Sequence, residues 1–144
     1  MKILKMFLPA LFVISAILNC SCFAEKIDYP KNLWKGIIGE AVGEEYEGMY
    51  AVACVYRNRL RKGLPLGCTA LKRDDLDCFV EKQGEKYKEI VAIIVRKVFS
   101  ENSPDVTNGA THYENIQAFG FPYWAKDMRT TVKIGSHTFF VEKK

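Results

Sequence analysis

The 144-residue sequence contains only two histidines and five cysteines, and no two of them are spaced as C-x-x-C or H-x-x-x-H. Two histidines cannot build an all-histidine metal centre, and the cysteine spacing does not fit a zinc site. The sequence also lacks a P-loop, a dinucleotide-binding glycine motif and a nucleophile elbow, which are signatures of nucleotide-binding proteins and serine hydrolases. We therefore expect neither a metal ion nor any other cofactor.

The chain also has little net charge. The chain has 21 Lys and Arg against 17 Asp and Glu, so the net charge is only +4, and the positive charge is not clustered. Such a charge does not indicate a nucleic-acid-binding protein. With 49% hydrophobic and 26% charged residues, the chain has an ordinary globular composition. Its length suits one domain, which we expect to be monomeric.

The sequence has one long apolar run, and it lies at the N-terminus. Residues 6–18 follow Lys2 and Lys5, and they are too few to cross a bilayer comfortably. Residues 22–24, Cys-Phe-Ala, then place small side chains where a signal peptidase requires them. This pattern predicts a secretory signal peptide over residues 1–24.

Export would leave a mature domain over residues 25–144, either secreted or held in the periplasm or cell envelope. We expect no segment of it to stay inserted in the membrane after cleavage. Two alternatives stay open. In one the apolar run is an uncleaved anchor, and in the other a lipid is attached to Cys20 or Cys22.

Export also changes the interpretation of the remaining cysteines. In an oxidising compartment Cys68 and Cys78 are the natural disulfide pair, because they flank residues 69–77, a stretch without a helical pattern. Cys54 lies among small apolar residues and is typical of a buried hydrophobic position. The alternative, in which all three thiols are free, stays open.

Hydrophobic periodicity predicts three helices in the first two thirds of the chain. Apolar residues at every fourth position mark a helix over residues 33–42. A second helix covers residues 45–61 and ends before Gly63, and a third covers residues 85–100.

The period of the pattern changes after the third helix. Residues 110–115 and 131–142 are rich in β-branched and aromatic side chains, which favour strands. Within the second of these segments, Gly135-Ser136 can turn a hairpin. The order of elements predicts a single α+β domain, with helices first and a short antiparallel sheet at the C-terminus.

Glu40 is the most informative candidate for chemistry. It lies at the end of the first predicted helix, among apolar residues. Burial raises the pKa of a carboxyl group, and a glutamate that is protonated near neutral pH can act as a general acid. The alternative is a structural glutamate that caps the helix or pairs with Arg57 or Arg59 of the next helix.

Two further acidic residues, Glu44 and Glu45, stand at the start of the second helix. Either is a candidate for the second carboxylate that most glycosidases place opposite their general acid. The alternative is purely structural, because acidic side chains stabilise the positive N-terminal end of a helix.

The C-terminal third offers a histidine and an aromatic loop. His112 lies in a segment that alternates as a strand does, and it is either a catalytic base or a hydrogen-bonded structural residue. His137, in the last hairpin, fits a structural role. Residues 118–124 contain four aromatic side chains together with Gly and Pro, and such a loop either packs in a core or stacks on sugar rings.

Several motifs occur in a fixed order: GEAVGEEYEG at 39–48, Ala-Val-Ala at 51–53, Asn-Arg at 58–59, GATHYEN at 109–115, Trp124 and IGSHTF at 134–139. In these motifs the chain resembles the SleB-like cell-wall hydrolase family, which includes spore-cortex-lytic enzymes and phage relatives. The resemblance covers residues 33–141, nearly the whole predicted mature chain.

The resemblance implies a compact relative of the lysozyme and lytic transglycosylase fold. It implies that peptidoglycan is the partner and that the glycan strand is cut between N-acetylmuramic acid and N-acetylglucosamine. The catalytic glutamate of the family is carried over to Glu40, and Tyr113, Asn115 and Trp124 would line the glycan groove. A lytic transglycosylase needs this one carboxylate, whereas in a muramidase Glu44 or Glu45 would assist.

We therefore expect Glu40 to be catalytic and the substrate-binding residues to be Glu44, Glu45, His112, Tyr113, Asn115 and Trp124. The alternative hypothesis is a protein of another class, namely a catalytically silent peptidoglycan-binding protein with the same fold. Such a binder would keep its effect on cell walls after the substitution Glu40→Gln.

Overall fold

The computed structural model describes residues 27–143. The predicted signal peptide, residues 1–24, lies outside the described residues. The α-helices are α1 (Leu33–Ala41), α2 (Glu45–Arg61), α3 (Leu76–Gln83), α4 (Glu85–Val95) and α5 (Ile116–Phe119), and the strands are β1 (His112–Glu114), β2 (Met128–Ile134) and β3 (His137–Glu142). This order confirms the predicted α+β class. None of the described helices is long and apolar enough to cross a membrane.

Short helical turns complete the chain between these elements. The three 3-10 turns are Val42–Glu44, Ala70–Lys72 and Tyr123–Asp127, and the one π-helical turn is Arg96–Ser100. The π-helical turn continues α4 directly, so the predicted third helix over residues 85–100 is confirmed in extent. The predicted second helix, residues 45–61, coincides with α2.

Helix α2 is the centre of the domain, because residues 48–58 are all buried. One side of α2 joins the main core with α1 and α4, where Val52 and Tyr56 pack in the same cluster as Ile37 and Ile94. The other side, with Ala51 and Val55, packs against Phe139 of β3 in a second cluster. A helix buried on both sides must carry apolar residues all round, and small ones where neighbours approach closely.

Helix α1 lies very close to the segment that precedes α3. A Cβ atom placed on Gly36 would lie 2.5 Å from Cys68 Sγ, and one on Gly39 would lie 2.6 Å from the Ala70 Cβ. Both helix positions therefore require glycine, for packing within the protein. This close approach brings the C-terminal end of α1, with Glu40, against residues 69–70.

The sheet has the strand order β1-β3-β2, and both pairs are antiparallel. Tyr113 of β1 lies opposite Phe139, and His112 lies opposite Phe140. The hairpin between β2 and β3 turns at Gly135-Ser136 as predicted, with Gly135 at a φ of 60°. The register shifts between Thr130 and Val132, which is a β-bulge at residue 131. Because β3 is central, its buried phenylalanines connect the sheet to α2 and to the loop that follows α5.

The predicted disulfide between Cys68 and Cys78 is wrong, because the structure contains both as free thiols. The interpretation of residues 69–77 as an irregular loop caused the error. These residues instead form a 3-10 turn and the first turn of α3. The helical geometry leaves Cys78 exposed, while Cys68 is buried against α1. Cys54 is buried in the core, as predicted.

Candidate active site

A cleft of about 450 Å³ lies where α1, α2, β1 and the loop after α5 meet. Its main polar and aromatic lining residues are Glu40, Tyr56, Arg59, Thr69, His112, Tyr113, Glu114, Phe119, Trp124 and His137. Two larger cavities, of about 560 and 740 Å³, contain none of the predicted site residues. The 450 Å³ cleft is therefore the candidate active site, because it combines carboxylates with aromatic side chains in one concave surface.

Glu40 stands in the last turn of α1, half-buried at the wall of the cleft. Its Oε1 accepts hydrogen bonds from the Thr69 hydroxyl at 2.6 Å and from the Ala70 backbone N–H at 2.7 Å. The Tyr113 hydroxyl is a further close neighbour of this carboxylate, and within residues 27–143 neither Arg57 nor Arg59 forms the ion pair considered from the sequence. One carboxylate oxygen is thus held by residues 69–70, and the group stands beside the Tyr113 hydroxyl at the cleft wall.

Two tyrosines lie beneath the cleft next to Glu40. The hydroxyl oxygens of Tyr56 and Tyr113 are 2.9 Å apart and share a hydrogen bond. Burial raises the pKa of both phenols, and the nearby Glu40 carboxylate raises the pKa of each further. Both phenols therefore keep their protons at neutral pH, and Tyr113 reaches the cleft as a neutral hydrogen-bonding group.

His112 is held between a cation and an indole ring. Its Nδ1 is 3.0 Å from the Thr111 hydroxyl, its Nε2 is 3.4 Å from an Arg59 nitrogen, and its ring centroid is 5.3 Å from that of Trp124. Burial lowers the pKa of His112, and the positive charge of Arg59 lowers it further. The imidazole is consequently neutral at neutral pH, with Nε2 turned toward a donor-only group.

Arg59 fixes the strand that carries these residues. Its guanidinium group donates to the Pro65 carbonyl at 2.7 Å and to the Thr111 carbonyl at 2.8 Å. Gly67, at a φ of 75°, lies so close that a Cβ atom there would be 2.9 Å from Arg59 Nε. The sequence suggested this cation only as an ion-pair partner of Glu40. In the structure it positions His112 and is itself part of the cleft lining.

Asn58, the neighbour of Arg59, anchors the loop before β1. Its side-chain amide donates to Asp105 Oδ2 and to the Ala110 carbonyl, both at 2.9 Å. The Asp105 carboxylate also accepts hydrogen bonds from Thr107 and from the Gly109 backbone N–H. Burial raises the pKa of Asp105, but these hydrogen bonds outweigh it and hold the pKa below the usual range. The Asn58-Arg59 pair thus anchors the two residues that directly precede β1, Ala110 and Thr111.

Glu44 is enclosed by its own partners and does not line the cleft. Its carboxylate accepts hydrogen bonds from the Ser136 backbone N–H at 2.7 Å and from the Ser136 hydroxyl, and its Oε2 is 3.7 Å from His137 Nδ1. Burial acts to raise the pKa of Glu44, but the Ser136 hydrogen bonds and His137 together lower it below its ordinary value. A Cβ atom on Gly135 would lie 2.2 Å from Oε2. Glu44 therefore ties the bend between α1 and α2 to the β2–β3 turn.

Two other predicted substrate contacts also lie outside the cleft lining. Glu45 is exposed at the first position of α2 with a φ of 57°, a conformation that non-glycine residues adopt uncommonly. Asn115 is the N-cap of α5, where its side chain accepts a hydrogen bond from Ala118 N–H at 3.0 Å, and its amide donates to the Ser136 hydroxyl at 3.1 Å. The structure thus brings Glu40, His112, Tyr113 and Trp124 together, and it separates Glu44, Glu45 and Asn115 from them.

Sequence reasoning missed Glu114 as a cleft residue. One of its carboxylate oxygens accepts the Asn115 backbone N–H at 2.9 Å. The signal was available in the alternation of β1, because His112 and Glu114 are two residues apart and so share a face of the strand. Thr69 had no such signal, since its contact with Glu40 depends on packing between segments 29 residues apart.

The described residues contain no group of three or more His, Cys, Asp and Glu side chains that could hold a metal ion. A family model described as Cell Wall Hydrolase matches residues 43–140, which are 98 of the 144 residues. The match begins three residues after Glu40 and includes the whole sheet apart from the end of β3. Comparison with curated proteins and with solved structures gives no match.

Proposed function

From the premise that the chain belongs to the cell wall hydrolase family, we propose that it cuts the glycan strand of peptidoglycan. The bond cut is the one between N-acetylmuramic acid and N-acetylglucosamine. The observation that carries this proposal is the Glu40 carboxylate, which lines the cleft with its Oε1 anchored by two donors and the Tyr113 hydroxyl nearby.

The proposed reaction uses Glu40 twice. The protonated carboxyl group gives its proton to the glycosidic oxygen while the bond from that oxygen to the anomeric carbon of muramic acid breaks. The resulting carboxylate then takes the proton of the muramic acid 6-hydroxyl, whose oxygen forms the new bond to the anomeric carbon. The products are a 1,6-anhydro-muramic acid end and a free hydroxyl on the departing sugar. Thr69 and Ala70 donate hydrogen bonds to the carboxylate formed after the first step.

The other cleft residues fit the binding of sugar rings. Trp124 and the neutral His112 ring, with centroids 5.3 Å apart, form an aromatic wall. Aromatic rings pack against the apolar faces of sugars, and Tyr113 adds a neutral hydroxyl near Glu40 that can donate or accept a hydrogen bond. We assign these three residues to substrate positioning.

A hydrolytic reaction is the second candidate, because a second carboxylate lines the same cleft. Water rather than the 6-hydroxyl would attack, and a second acidic residue would assist it. The sequence suggested Glu44 or Glu45 for this role, but neither lines the cleft. Glu114 does, so it is the residue to test if the products have reducing muramic acid ends.

The test is digestion of purified peptidoglycan by the wild-type protein and its Glu40→Gln variant, with mass analysis of the released muropeptides. We expect anhydro-muramyl products from the wild type and none from the variant. The matched control is Glu45→Gln, an exposed acidic residue outside the cleft, which should release the same products as the wild type. If the wild type instead forms reducing muramic acid ends, and Glu114→Gln does not form them, then the reaction is hydrolysis and not transglycosylation. Binding without release by the wild type would indicate the silent peptidoglycan-binding protein.

We further propose that the protein is exported, since its substrate lies outside the cytoplasmic membrane. The motif at residues 22–24 supports cleavage after Ala24. Intact-mass measurement of the protein recovered from the cell envelope or the medium tests this, and we expect a chain that begins at Glu25. A mass that includes a lipid on Cys20 or Cys22, or the uncleaved segment, would contradict cleavage after Ala24.

A further inference from the structure

The loop after α5 exposes an unusual amount of aromatic surface. Phe119, Phe121, Tyr123 and Trp124 have 80%, 58%, 81% and 42% of their surface exposed. Across residues 27–143, the other exposed large hydrophobic side chains are Ile93 and Val106, which are far from each other in sequence. Exposed apolar groups are ordinary when scattered, but a contiguous cluster marks a binding surface. From the sequence, this aromatic loop was expected either to pack in a core or to stack on sugar rings. In the structure it lies at the surface.

The inner rings of this loop are part of the cleft or are anchored to the sheet. Phe119 and Trp124 line the cleft that contains Glu40. Trp124 and Phe121 both pack edge-on against Phe140, with centroid distances of 5.5 and 6.1 Å. The loop therefore has fixed supports at β3, and the cap that Asn115 provides holds α5 at its start. A binding surface that is already ordered loses little conformational entropy on binding.

The outer ring, Tyr123, has no such support. Its neighbour is Lys126, whose Nζ lies 4.2 Å from the ring centroid. In the described part of the chain Tyr123 has no aromatic partner and no side-chain hydrogen bond, so packing within the domain does not explain its presence. The ring directly precedes Trp124 in the chain and is itself outside the cleft lining.

We propose that Tyr123 and Phe121 form a sugar-binding subsite outside the cleft, which holds the glycan strand beyond the bond that is cut. This inference rests on the proposed function, because it takes a polymer seated at Glu40 to run over Phe119 and Trp124, which line the same cleft. The rings of Tyr123 and Phe121 offer flat apolar faces for further sugars, and Lys126 adds a positive charge that suits the carboxylates of the peptide stems. The enzyme consequently prefers long strands to short fragments.

The test measures binding in the Glu40→Gln background, so that no substrate is consumed. Calorimetry with long glycan strands and with a peptidoglycan tetrasaccharide should show that Tyr123→Ala weakens binding of long strands about fivefold. Binding of the tetrasaccharide should not change. The control is Ile93→Ala, which removes an exposed apolar side chain on α4 and should alter neither affinity.

Several outcomes would overturn the subsite. One is an unchanged affinity of Tyr123→Ala for long strands, and another is an equal loss of affinity for long strands and for the tetrasaccharide. A third is that Tyr123→Ala loses binding to phosphatidylglycerol vesicles while its affinity for glycan is unchanged. The last would identify the loop as a membrane contact. A wild-type protein that cleaves nothing, with Tyr123→Ala still weakening long-strand binding, would refute the proposed reaction and retain the subsite. The two proposals therefore fail separately.

Discussion

Glu40 and Glu44 lie four residues apart in one motif and have opposite surroundings. Glu44 has both oxygens hydrogen-bonded to Ser136 and a histidine nearby, and only 15% of its side chain is exposed. Glu40 has one oxygen hydrogen-bonded and stands at the wall of the cleft. The comparison shows that a glutamate whose partners all come from the protein stabilises the fold. Glu40, at the cleft wall, is the one of the two to which the proposed function assigns the substrate.

The largest effect should come from Glu40→Gln. An amide cannot give or take the proton, and general acid–base catalysis contributes about 10² to 10⁴ in rate. We therefore expect turnover of soluble glycan strands to fall at least about 100-fold, measured from initial rates. The same variant should unfold in urea at the wild-type midpoint, because Gln still accepts the hydrogen bonds of Thr69 and Ala70. A large loss of stability would mean that Glu40 is structural as well.

The sequence could predict only part of this contrast between Glu40 and Glu44. What it could predict depends on how far along the chain the hydrogen-bond partners of each glutamate lie. Glu40 could be singled out from the sequence because it lies at the end of an apolar helix, which is a local pattern. The partner of Glu44 is 92 residues away, in a turn whose approach depends on the sheet docking against α2. Nothing near position 44 in the sequence records that contact, so Glu44 and Glu45 appeared equally suited to catalysis.

The fold shows the same dependence on local pattern. Helix α2 was predicted at its observed bounds because its apolar periodicity is long and Gly63 follows it. Helix α3 was missed because it has only eight residues, two of them buried, and it lies in a polar stretch where the cysteines suggested a disulfide. The strand β1 is preceded by residues that the Asn58-Arg59 pair holds across 52 positions, which only the tertiary structure supplies. The helix α5 has a local cap at Asn115 but only four residues, too few for a periodic pattern.

The reciprocal substitution, Glu44→Gln, should act on stability. It replaces a charged acceptor of two hydrogen bonds by a neutral amide, whose oxygen can accept from one Ser136 donor while its NH₂ group faces the other. Loss of such charge-assisted hydrogen bonds costs about 2 kcal/mol of unfolding free energy. Urea unfolding at neutral pH measures this loss, and the fraction that stays folded should retain turnover within about tenfold of the wild type. An unchanged unfolding free energy would contradict the role of Glu44 as a tie.

The pH dependence of stability sharpens the same contrast. The pKa of Glu44 is lower in the folded protein than its ordinary value of 4.5, so folding favours the ionised form. Its stabilising contribution is therefore present above that value and is lost as the pH falls through the folded-state pKa. We expect the difference in unfolding free energy between wild type and Glu44→Gln to shrink between pH 7 and pH 3. A difference that stays constant over this range would contradict the lowered pKa.

The smallest effect should come from Glu45→Gln. This side chain is exposed and has no hydrogen bond or ion pair within residues 27–143. Surface substitutions of this kind change the unfolding free energy by less than about 0.5 kcal/mol. Turnover and urea midpoint should both match the wild type. A loss of turnover alone would return Glu45 to the list of catalytic candidates.

The most direct test of the central claim is digestion of peptidoglycan in water enriched in ¹⁸O. If Glu40 alone drives transfer to the muramic acid 6-hydroxyl, the new muramic acid ends contain no ¹⁸O, and their formation stops in Glu40→Gln. Incorporation of one ¹⁸O atom at each cut would show that water attacks. Cleavage that continues at the wild-type rate in Glu40→Gln would contradict the assignment of Glu40 itself.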